Sequence, residues 1–410
     1  MVRAVVGLTG AFGSGCTSAA KHLRDERGYR YVSLSDALRA EWNRQHVGED
    51  ATRHDLQQLG DNLRAEHGRA ALVDLALKGV ADDPELVVVD SIRNVGEVMA
   101  LREAFGNHFV LIGVLARQDD RWDRIGSTQY TDNDLTQADF LADDARDKEE
   151  EETEHGQQVA KCIDESDMLV DSSAHDIGEF FAKVDEFAAL AEGGQRYATT
   201  NEIFMHMAYS ARHSSKCLKR LVGAVLVNDR EDVVGVGYNE NPVGTLPCAE
   251  EPKYGNRCYR DNVRNDKFES LMQEAARCPA CGEPLRVEEG PPWRCSNCVE
   301  QGRKSNLEIY FFPDRAMSWC TAIHAEVRAL LAAGAAARGT TLYTTTFPCF
   351  QCAEKITQVG IKDIWFTEPY PDTLAAKRLE IGRIEFRQFE GVRSSVFERF
   401  FSSVNRRTNP

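Results

Sequence analysis

The sequence predicts an α/β protein with two domains: a parallel-sheet domain built around a phosphate-binding loop (P-loop), followed by an α/β/α domain with an inserted zinc ribbon. Three observations support this fold class. The chain has 410 residues, which is more than one hydrophobic core usually holds. Short apolar segments alternate with helical segments through the first half, as in a parallel sheet covered by helices on both faces. Two C-x-x-C pairs interrupt the second half at a spacing typical of a zinc ribbon.

The composition is that of a soluble globular protein, with 42% hydrophobic and 28% charged residues. No apolar run reaches the roughly 18 residues that a membrane span needs, and the segment after Arg3 resembles a strand rather than a signal peptide. Half of the 12 cysteines form C-x-x-C pairs, which favours metal binding in a reducing cytoplasm over disulfides. The net charge of −16 disfavours a broad nucleic-acid surface. We therefore expect a cytoplasmic protein without a membrane partner.

A glycine-rich loop follows the first predicted strand, 4–9. The segment G-A-F-G-S-G-C-T matches the P-loop spacing G-x-x-x-x-G-K-[ST] at every position but one, because Cys16 occupies the place of the lysine. A helix predicted over 18–26 would direct its N-terminus at a bound anion. The candidate nucleotide-binding residues of the loop are Gly10, Gly13, Ser14, Gly15, Cys16 and Thr17. Without the lysine, we expect phosphate binding but no rapid phosphoryl transfer.

A later apolar strand ends at Asp90, where a P-loop protein commonly places the acid that supports Mg²⁺. We expect Asp90 and Thr17 to hold Mg²⁺ together with a nucleotide. Arg93 is a candidate for the missing positive charge. Further apolar strands at 109–115 and 168–170 complete the predicted parallel sheet.

A polar, glycine-containing segment at 192–195 is the predicted linker, which sets the domain limits at 1–192 and 196–410. The second domain is expected to contain a mixed sheet flanked by helices. Its predicted strands are 222–227, 232–237, 340–345 and 361–366.

The pattern H-x-E at His324 and Glu326, followed by P-C-x-x-C at Cys349 and Cys352, is the signature of zinc-dependent nucleobase deaminases. One imidazole and two thiolates supply three zinc ligands. The fourth tetrahedral position stays open to a water, whose pKa falls to roughly 7 on the metal. Glu326 is expected to move protons between that water, N3 of cytosine and the departing ammonia. Predicted helices begin next to His324 and Cys349, and a helix N-terminus favours the thiolate form.

An insertion over about 275–302 carries the two remaining C-x-x-C pairs. A loop this short cannot fold on apolar burial alone, so we expect metal-driven folding around a structural zinc. The predicted ligands of this zinc are Cys278, Cys281, Cys295 and Cys298. Either a further metal site or ordinary buried thiols would account for Cys248, Cys258 and Cys320.

The zinc motif, the segment C-L-K-R-L-V-G-A-V at 217–225 and the segment G-Y-N at 237–239 resemble deoxycytidylate deaminase over about residues 200–375. The resemblance implies a cytidine-deaminase-like α/β/α domain. It also implies that the asparagine of G-Y-N, here Asn239, contacts the sugar of the substrate. An aromatic residue closes the pocket in that family, and Tyr370 is the candidate here.

The first half resembles a nucleotide-kinase-like P-loop domain through the loop itself, through L-S-D-A-L-R at 34–39 and through D-S-I-R at 90–93. Fusion of such a domain, lacking the lysine, to a deoxycytidylate-deaminase domain resembles the bacterial anti-phage dCTP deaminases. The resemblance implies conversion of dCTP and dCMP to dUTP and dUMP during infection. It also implies that the P-loop domain regulates the activity by sensing a nucleotide effector.

Other interpretations stay open at this point. A deaminase acting on a base in RNA or DNA would need a basic groove and stacking aromatic residues, and the net charge counts against it. Cys16 disfavours a bifunctional kinase–deaminase, and the complete zinc motif disfavours an inactive binding module. We expect deoxycytidine nucleotides as substrates and a homo-oligomer as the assembly. The sequence specifies neither a preference between dCMP and dCTP nor a regulatory RNA or protein.

Overall fold

The structure is a computed structural model. It describes residues 2–47, 51–78, 85–127, 136–138, 140, 141, 144, 156–252, 257–260, 293, 294, 301, 302, 320–369 and 373–402. Tyr370 and the four predicted ribbon cysteines lie outside the described residues.

The chain divides into two compact units. The first is Met1–Ile203 together with Phe389–Pro410, and the second is Phe204–Gln388. Each unit contains its own β-sheet flanked by helices, so the predicted α/β class with two domains is confirmed. No helix in the described ranges is long and apolar enough to cross a membrane.

The strands, in chain order, are β1 (Ala4–Thr9), β2 (Arg30–Ser33), β3 (Leu86–Ile92), β4 (Phe109–Leu115), β5 (Met168–Asp171), β6 (Gly223–Val227), β7 (Val233–Tyr238), β8 (Trp293–Arg294), β9 (Gln301–Gly302), β10 (Thr341–Thr346), β11 (Asp363–Glu368), β12 (Glu385–Gln388) and β13 (Gly391–Val392). The α-helices are α1 (Cys16–Arg27), α2 (Leu34–Gln45), α3 (Arg53–His67), α4 (Ala71–Leu77), α5 (Val95–Phe105), α6 (Gln118–Ser127), α7 (Val159–Asp164), α8 (Ile177–Ala191), α9 (Thr200–Arg212), α10 (Ala325–Ala333), α11 (Phe350–Val359), α12 (Thr373–Ile381) and α13 (Phe397–Phe401).

The first unit is built on a six-stranded sheet in the order β13-β5-β4-β1-β3-β2. Its strands are parallel, except that β13 runs antiparallel to β5. Successive residues of β1 enter different hydrophobic clusters, because Val6 and Leu8 pack in one cluster and Val5 in another. The sheet is therefore covered on both faces, which explains why its central strands are apolar at nearly every position.

The end of the chain returns to the first unit. In β13, Gly391 pairs with Leu169 of β5. The backbone N–H of Val392 donates to the buried Glu202 carboxylate at 2.7 Å, and Arg196 donates to the same carboxylate at 2.6 Å. Gly391 has a φ of 134°, and a Cβ there would lie 2.7 Å from the Glu202 side chain. The compact units thus differ from the predicted limits, since the segment after residue 388 joins the first unit.

The second unit is built on a five-stranded sheet in the order β12-β11-β10-β6-β7. The strands β10, β11 and β12 run parallel, whereas β6 runs antiparallel to both β10 and β7. This is the mixed sheet that the sequence predicts. Inside the predicted insertion, β8 and β9 pair antiparallel, with Trp293 opposite Gly302.

Helix α10 lies directly against β7 because β7 carries glycines at the contact. A Cβ on Gly237 would lie 2.0 Å from the carbonyl oxygen of Ala325, and a Cβ on Gly235 would lie 2.4 Å from that of Ala329. Both distances are far inside van der Waals contact, so a larger side chain would displace the helix. The two glycines therefore set the position of the helix that begins immediately after His324.

Candidate metal centre and phosphate-binding loop

Three of the predicted metal ligands stand at helix N-termini. His324 is the N-cap of α10, and Cys349 is the N-cap of α11. Cys352 follows in the first turn of α11, so the two cysteines share one side of that turn. The sulfur atoms of both cysteines face the imidazole of His324.

The structure brings these three side chains together. The Nδ1 atom of His324 lies 3.3 Å from the Cys349 sulfur and 3.2 Å from the Cys352 sulfur, and the three ligand atoms lie within 4.8 Å of one another. Zn–N and Zn–S bonds of about 2.0 and 2.3 Å place the nitrogen and sulfur ligands of a tetrahedral zinc about 3.5 Å apart. Both thiols are buried. Donor set, spacing and burial therefore fit zinc.

The protons of this group are distributed unequally. Hydrogen bonding with Cys352 lowers the pKa of Cys349 to about 4, while the same contact and burial raise the pKa of Cys352. Burial opposes a charge on His324, but hydrogen bonds with Cys320 and Cys349 raise its pKa to about 10. Zinc binding must then release the protons of His324 and Cys352, because a metal ligand binds in its deprotonated form.

Glu326 lies on the first turn of α10, two residues after the ligand His324. Its side chain is buried, and burial raises the pKa of its carboxyl group, against the opposing charge of His324. A carboxyl group with a raised pKa can both accept and return a proton near neutral pH, as a general acid–base catalyst requires. It is not among the three side chains that converge on the metal position.

Cys320, which the sequence analysis leaves open between a further metal site and a buried thiol, lies next to His324. Its side chain hydrogen-bonds with His324, and this contact contributes to a lowered pKa of Cys320. Its position four residues before the histidine is the one available signal, but such a spacing is common in unrelated proteins. Hydrogen bonding to a metal-ligating histidine commonly fixes the ring orientation.

Asn239, the predicted sugar contact, is buried at the end of β7. Its Oδ1 accepts a hydrogen bond from the Val222 backbone N–H at 2.8 Å, and its Nδ2 donates to the Arg220 carbonyl at 2.9 Å. The asparagine thus holds the segment that precedes β6. A primary amide carries two N–H donors, and within the described part of the chain the contact with the Arg220 carbonyl uses one of them.

The P-loop of the first unit joins β1 to α1. Gly13 and Gly15 have φ angles of 82° and 106°, in the left-handed region that only glycine adopts at low cost. A Cβ on Gly10 would lie 2.5 Å from the carbonyl oxygen of Val114 and 2.4 Å from the Ser14 hydroxyl. The three glycines are therefore required for this curled loop, whose backbone can approach a phosphate closely.

The magnesium-binding residues predicted from the sequence contact one another. Thr17 donates its hydroxyl to the Asp90 carboxylate at 2.8 Å, and the Tyr31 hydroxyl donates to the same oxygen at 3.1 Å. Burial raises the pKa of Asp90, although these hydrogen bonds and the charge of Arg93 oppose the shift. The residue after it, Ser91, has a φ of 67°, a strained conformation of the kind found at functional sites. Tyr31 was not predicted, because nothing in the short β2 segment marks it as a partner of Asp90.

Cys16 carries no positive charge at the position of the P-loop lysine. Burial and the nearby Asp90 raise the pKa of its thiol to about 12, so the group is neutral at physiological pH. Its sulfur lies 3.5 Å from the Ser14 hydroxyl. The charge of Arg93 acts on both Cys16 and Asp90, which places this guanidinium within electrostatic reach of the loop.

Residues 198–368 match the family described as the cytidine and deoxycytidylate deaminase zinc-binding region. A deoxycytidylate deaminase of Schizosaccharomyces pombe is 29% identical over 197 residues, which are 47% of this chain and 45% of that protein. The chain therefore spans less than half the length of this relative.

A UPF0200 protein of Pyrobaculum aerophilum is 37% identical over 142 residues, which are 35% of this chain and 76% of that protein. Among solved structures, a dCMP deaminase from the cyanophage S-TIM5, in complex with dCMP and dUMP, is 19% identical with a TM-score of 0.27. That likeness covers 46% of this chain and 95% of the phage chain.

Proposed function

We propose that this chain, which belongs to the UPF0200 protein family, combines a nucleotide-binding P-loop unit with a zinc-dependent deaminase. The deaminase would convert deoxycytidine nucleotides to deoxyuridine nucleotides and ammonia. The observation that supports the deaminase is the group of His324 and the buried Cys349 and Cys352, with the buried Glu326 two residues after His324. The match of residues 198–368 to the deaminase zinc-binding region adds to it.

The reaction replaces the 4-amino group of cytosine by an oxygen atom from water. His324, Cys349 and Cys352 would hold a zinc ion, which when bound would lower the pKa of a water to roughly 7. Glu326 would accept one proton from the attacking water and pass it to N3, which keeps it in the uracil product. Glu326 would pass the second proton of the water to the amino group, so that the C4–N bond breaks and neutral ammonia leaves. One buried carboxyl group with a raised pKa suffices for both transfers.

Two further residues are proposed to hold the substrate. The second N–H of the Asn239 amide would contact the sugar, and Tyr370 would close the pocket over the base. The support for Asn239 is its buried position directly after β7, next to Glu240, which pairs with Ile323 just before His324. Tyr370 lies outside the described residues, and its proposed role rests on the family resemblance.

The first unit is proposed to bind a nucleotide effector that regulates the deaminase. Its backbone at Gly10, Gly13, Ser14 and Gly15 would surround the phosphates, with Mg²⁺ at Thr17 and Asp90. The Thr17–Asp90 hydrogen bond supports a metal position there, since P-loop enzymes hold Mg²⁺ with a hydroxyl and an acid. The neutral Cys16 supports binding without phosphoryl transfer.

The biological role that we propose is depletion of dCTP and dCMP in the bacterial cytoplasm during phage infection, by a homo-oligomeric enzyme. The resemblance to anti-phage dCTP deaminases supports this role. The test compares nucleotide pools after infection in cells that express the wild-type chain or Glu326→Ala. We expect dCTP to fall and dUMP to rise with the wild-type chain alone, and equal pools in the two strains would contradict the role.

The activity itself is tested with the purified, zinc-loaded chain and a panel of dCMP, dCTP, CMP and a single-stranded deoxycytidine oligomer, each with and without ATP as a candidate effector. We expect ammonia and the matching uracil product from dCMP or dCTP. Release of ammonia from the oligomer alone would instead favour a deaminase of nucleic acids. No product from any member of the panel would contradict the deaminase assignment.

A further inference from the structure

Arg328 makes two contacts that the zinc motif does not require. It lies on α10, one turn after the N-cap His324. Its guanidinium carbon stands 3.7 Å from the centroid of the Tyr238 ring, and its Nη1 forms an ion pair with the Glu240 carboxylate. About a third of each charged side chain is exposed, 31% and 35%, so the pair is accessible to water but held on one side by an aromatic face.

The two partners of Arg328 flank Asn239 in the sequence. The backbone of Glu240 exchanges two hydrogen bonds with Ile323, one of 3.1 Å and one of 2.7 Å. Ile323 is the residue immediately before His324. The segment 238–240 is therefore joined to the start of α10 at two points, by the backbone bridge with Ile323 and by the side chain of Arg328.

We infer that Arg328 is a positioning residue for deamination, because its guanidinium holds the strand end that carries Asn239 against the helix that carries Glu326. The inference rests on the proposed function. Asn239 would fix the sugar, and Glu326 acts on the base of the same nucleotide. The separation of these two side chains then decides whether C4 of cytosine reaches the metal, and a misplacement of about 1 Å can cost roughly 100-fold in rate.

The chemistry of the contact calls for arginine rather than lysine. A planar guanidinium can stack on the Tyr238 ring and at the same time keep its Nη1 in an ion pair with Glu240. A lysine ammonium is a point charge on a flexible stem and cannot satisfy both partners in one geometry. The glycines of β7 bring α10 close enough for the side chain to reach the strand.

The test uses the full-length, zinc-loaded chain with Arg328→Ala, Arg328→Lys, Glu240→Arg and the charge exchange Arg328→Glu with Glu240→Arg. We expect kcat/KM to fall about 10- to 100-fold in Arg328→Ala, with zinc content equal to that of the wild type. The lysine variant should lie between the two. The charge exchange should recover part of the loss seen in Glu240→Arg, because it restores an ion pair with Glu at position 328 but not the guanidinium on the Tyr238 ring.

The matched control is Lys362→Ala, which removes an exposed ion pair with Asp229 in the same unit and should leave kcat/KM unchanged. Hydrogen exchange of the Glu240 and Ile323 amides gives a readout that is independent of activity. The exchange should accelerate in Arg328→Ala and stay at the wild-type rate in Lys362→Ala. Wild-type exchange, or wild-type kcat/KM per zinc in Arg328→Ala, would overturn the inference. A wild-type chain inactive on every nucleotide would refute the proposed function, and the exchange experiment would still decide whether Arg328 holds the strand end. If Arg328→Ala does not fold, the lysine and charge-exchange variants decide by the same measurements.

Discussion

The Nδ1 atom of His324 lies 3.2 Å from the sulfur of Cys352, although 28 positions separate the two residues in the chain. Between them the chain forms α10, crosses the sheet as β10 and enters α11. Both helices begin at a ligand, so their N-termini, which carry partial positive charge, meet at one point. This arrangement favours a thiolate there, and Cys349, whose pKa is lowered to about 4 by hydrogen bonding with Cys352, is the thiol that carries the charge before any metal binds.

Replacement of Glu326 by alanine is predicted to abolish deamination while zinc remains bound. The carboxyl group is buried and is proposed to move protons, and a general acid–base group contributes about 10²- to 10⁴-fold to the rate. The measurements are ammonia release and zinc content of the purified chain, with Glu326→Gln as the control of equal shape. Activity close to that of the wild type would refute the role of Glu326.

Replacement of Gly237 by alanine is predicted to destabilise the second unit and to impair zinc retention. The added Cβ would meet the backbone of Ala325 and Ala329 at 2.0 and 2.5 Å, and overpacking of this kind costs about 1–3 kcal/mol. The helix that carries Glu326 would have to move away from β7.

Urea unfolding and zinc loss to a chelator measure the effect of the Gly237 substitution. Gly126→Ala is the matched control, because a Cβ at this helical position has no atom within 4 Å. Equal stability of Gly237→Ala and the wild type would show that α10 can shift freely, which would also weaken the case for a fixed strand end at Asn239.

The Cys16 thiol is predicted to resist alkylation in the folded protein at pH 9. Its folded pKa is raised to about 12 by burial and by Asp90, whereas an unfolded cysteine titrates at about 8.5. Between these two values the unfolded chain carries a thiolate and the folded chain a thiol, and the thiolate is the reactive form. A raised folded pKa also means that its contribution to stability is present below about pH 8.5 and is lost as the pH rises toward 12.

Mass spectrometry of the peptide that contains Cys16, after a brief pulse of iodoacetamide, measures this reactivity at pH 7, 9 and 10. Labelling in 8 M urea gives the unfolded reference. Equal rates at pH 9 in the folded and unfolded chain would show that Asp90 and burial do not suppress the thiolate.

The predicted zinc ribbon yields a separate prediction about metal content. We propose that Cys278, Cys281, Cys295 and Cys298 bind a structural zinc, so that Cys278→Ser or Cys298→Ser should lose one zinc per chain. Metal binding of this kind supplies folding free energy, and the insertion should become sensitive to protease. Elemental analysis that shows unchanged zinc in both variants would remove the ribbon from the description of this protein.

Local motifs predicted the ligand set and its helices, because H-x-E and P-C-x-x-C are short and each motif lies at the start of one helix. The sequence did not predict the contact between Arg328 and Tyr238, since a helix residue and a strand residue 90 positions apart carry no joint signal. It did not predict the return of β13 to the first unit either. That return depends on a buried carboxylate, Glu202, whose partners are known only after folding.

The last prediction concerns the P-loop, which is expected to bind a nucleotide without transferring a phosphoryl group at a useful rate. The glycines shape the loop, and Thr17 and Asp90 are in place for Mg²⁺. What is lacking is the mobile positive charge at position 16, and phosphoryl transfer depends mostly on positioning and on stabilisation of charge.

Calorimetry with ATP and Mg²⁺ should show binding that Asp90→Asn and Thr17→Ala weaken. Phosphorylation of deoxynucleoside monophosphates should stay at background in the wild type and in Cys16→Ala. It should rise in Cys16→Lys if the lysine reaches the phosphates. A wild-type turnover of about 1 s⁻¹ or faster, in the range usual for kinases, would show that another cation, with Arg93 as the first candidate, replaces the lysine. The bifunctional kinase–deaminase would then be the correct interpretation of this chain.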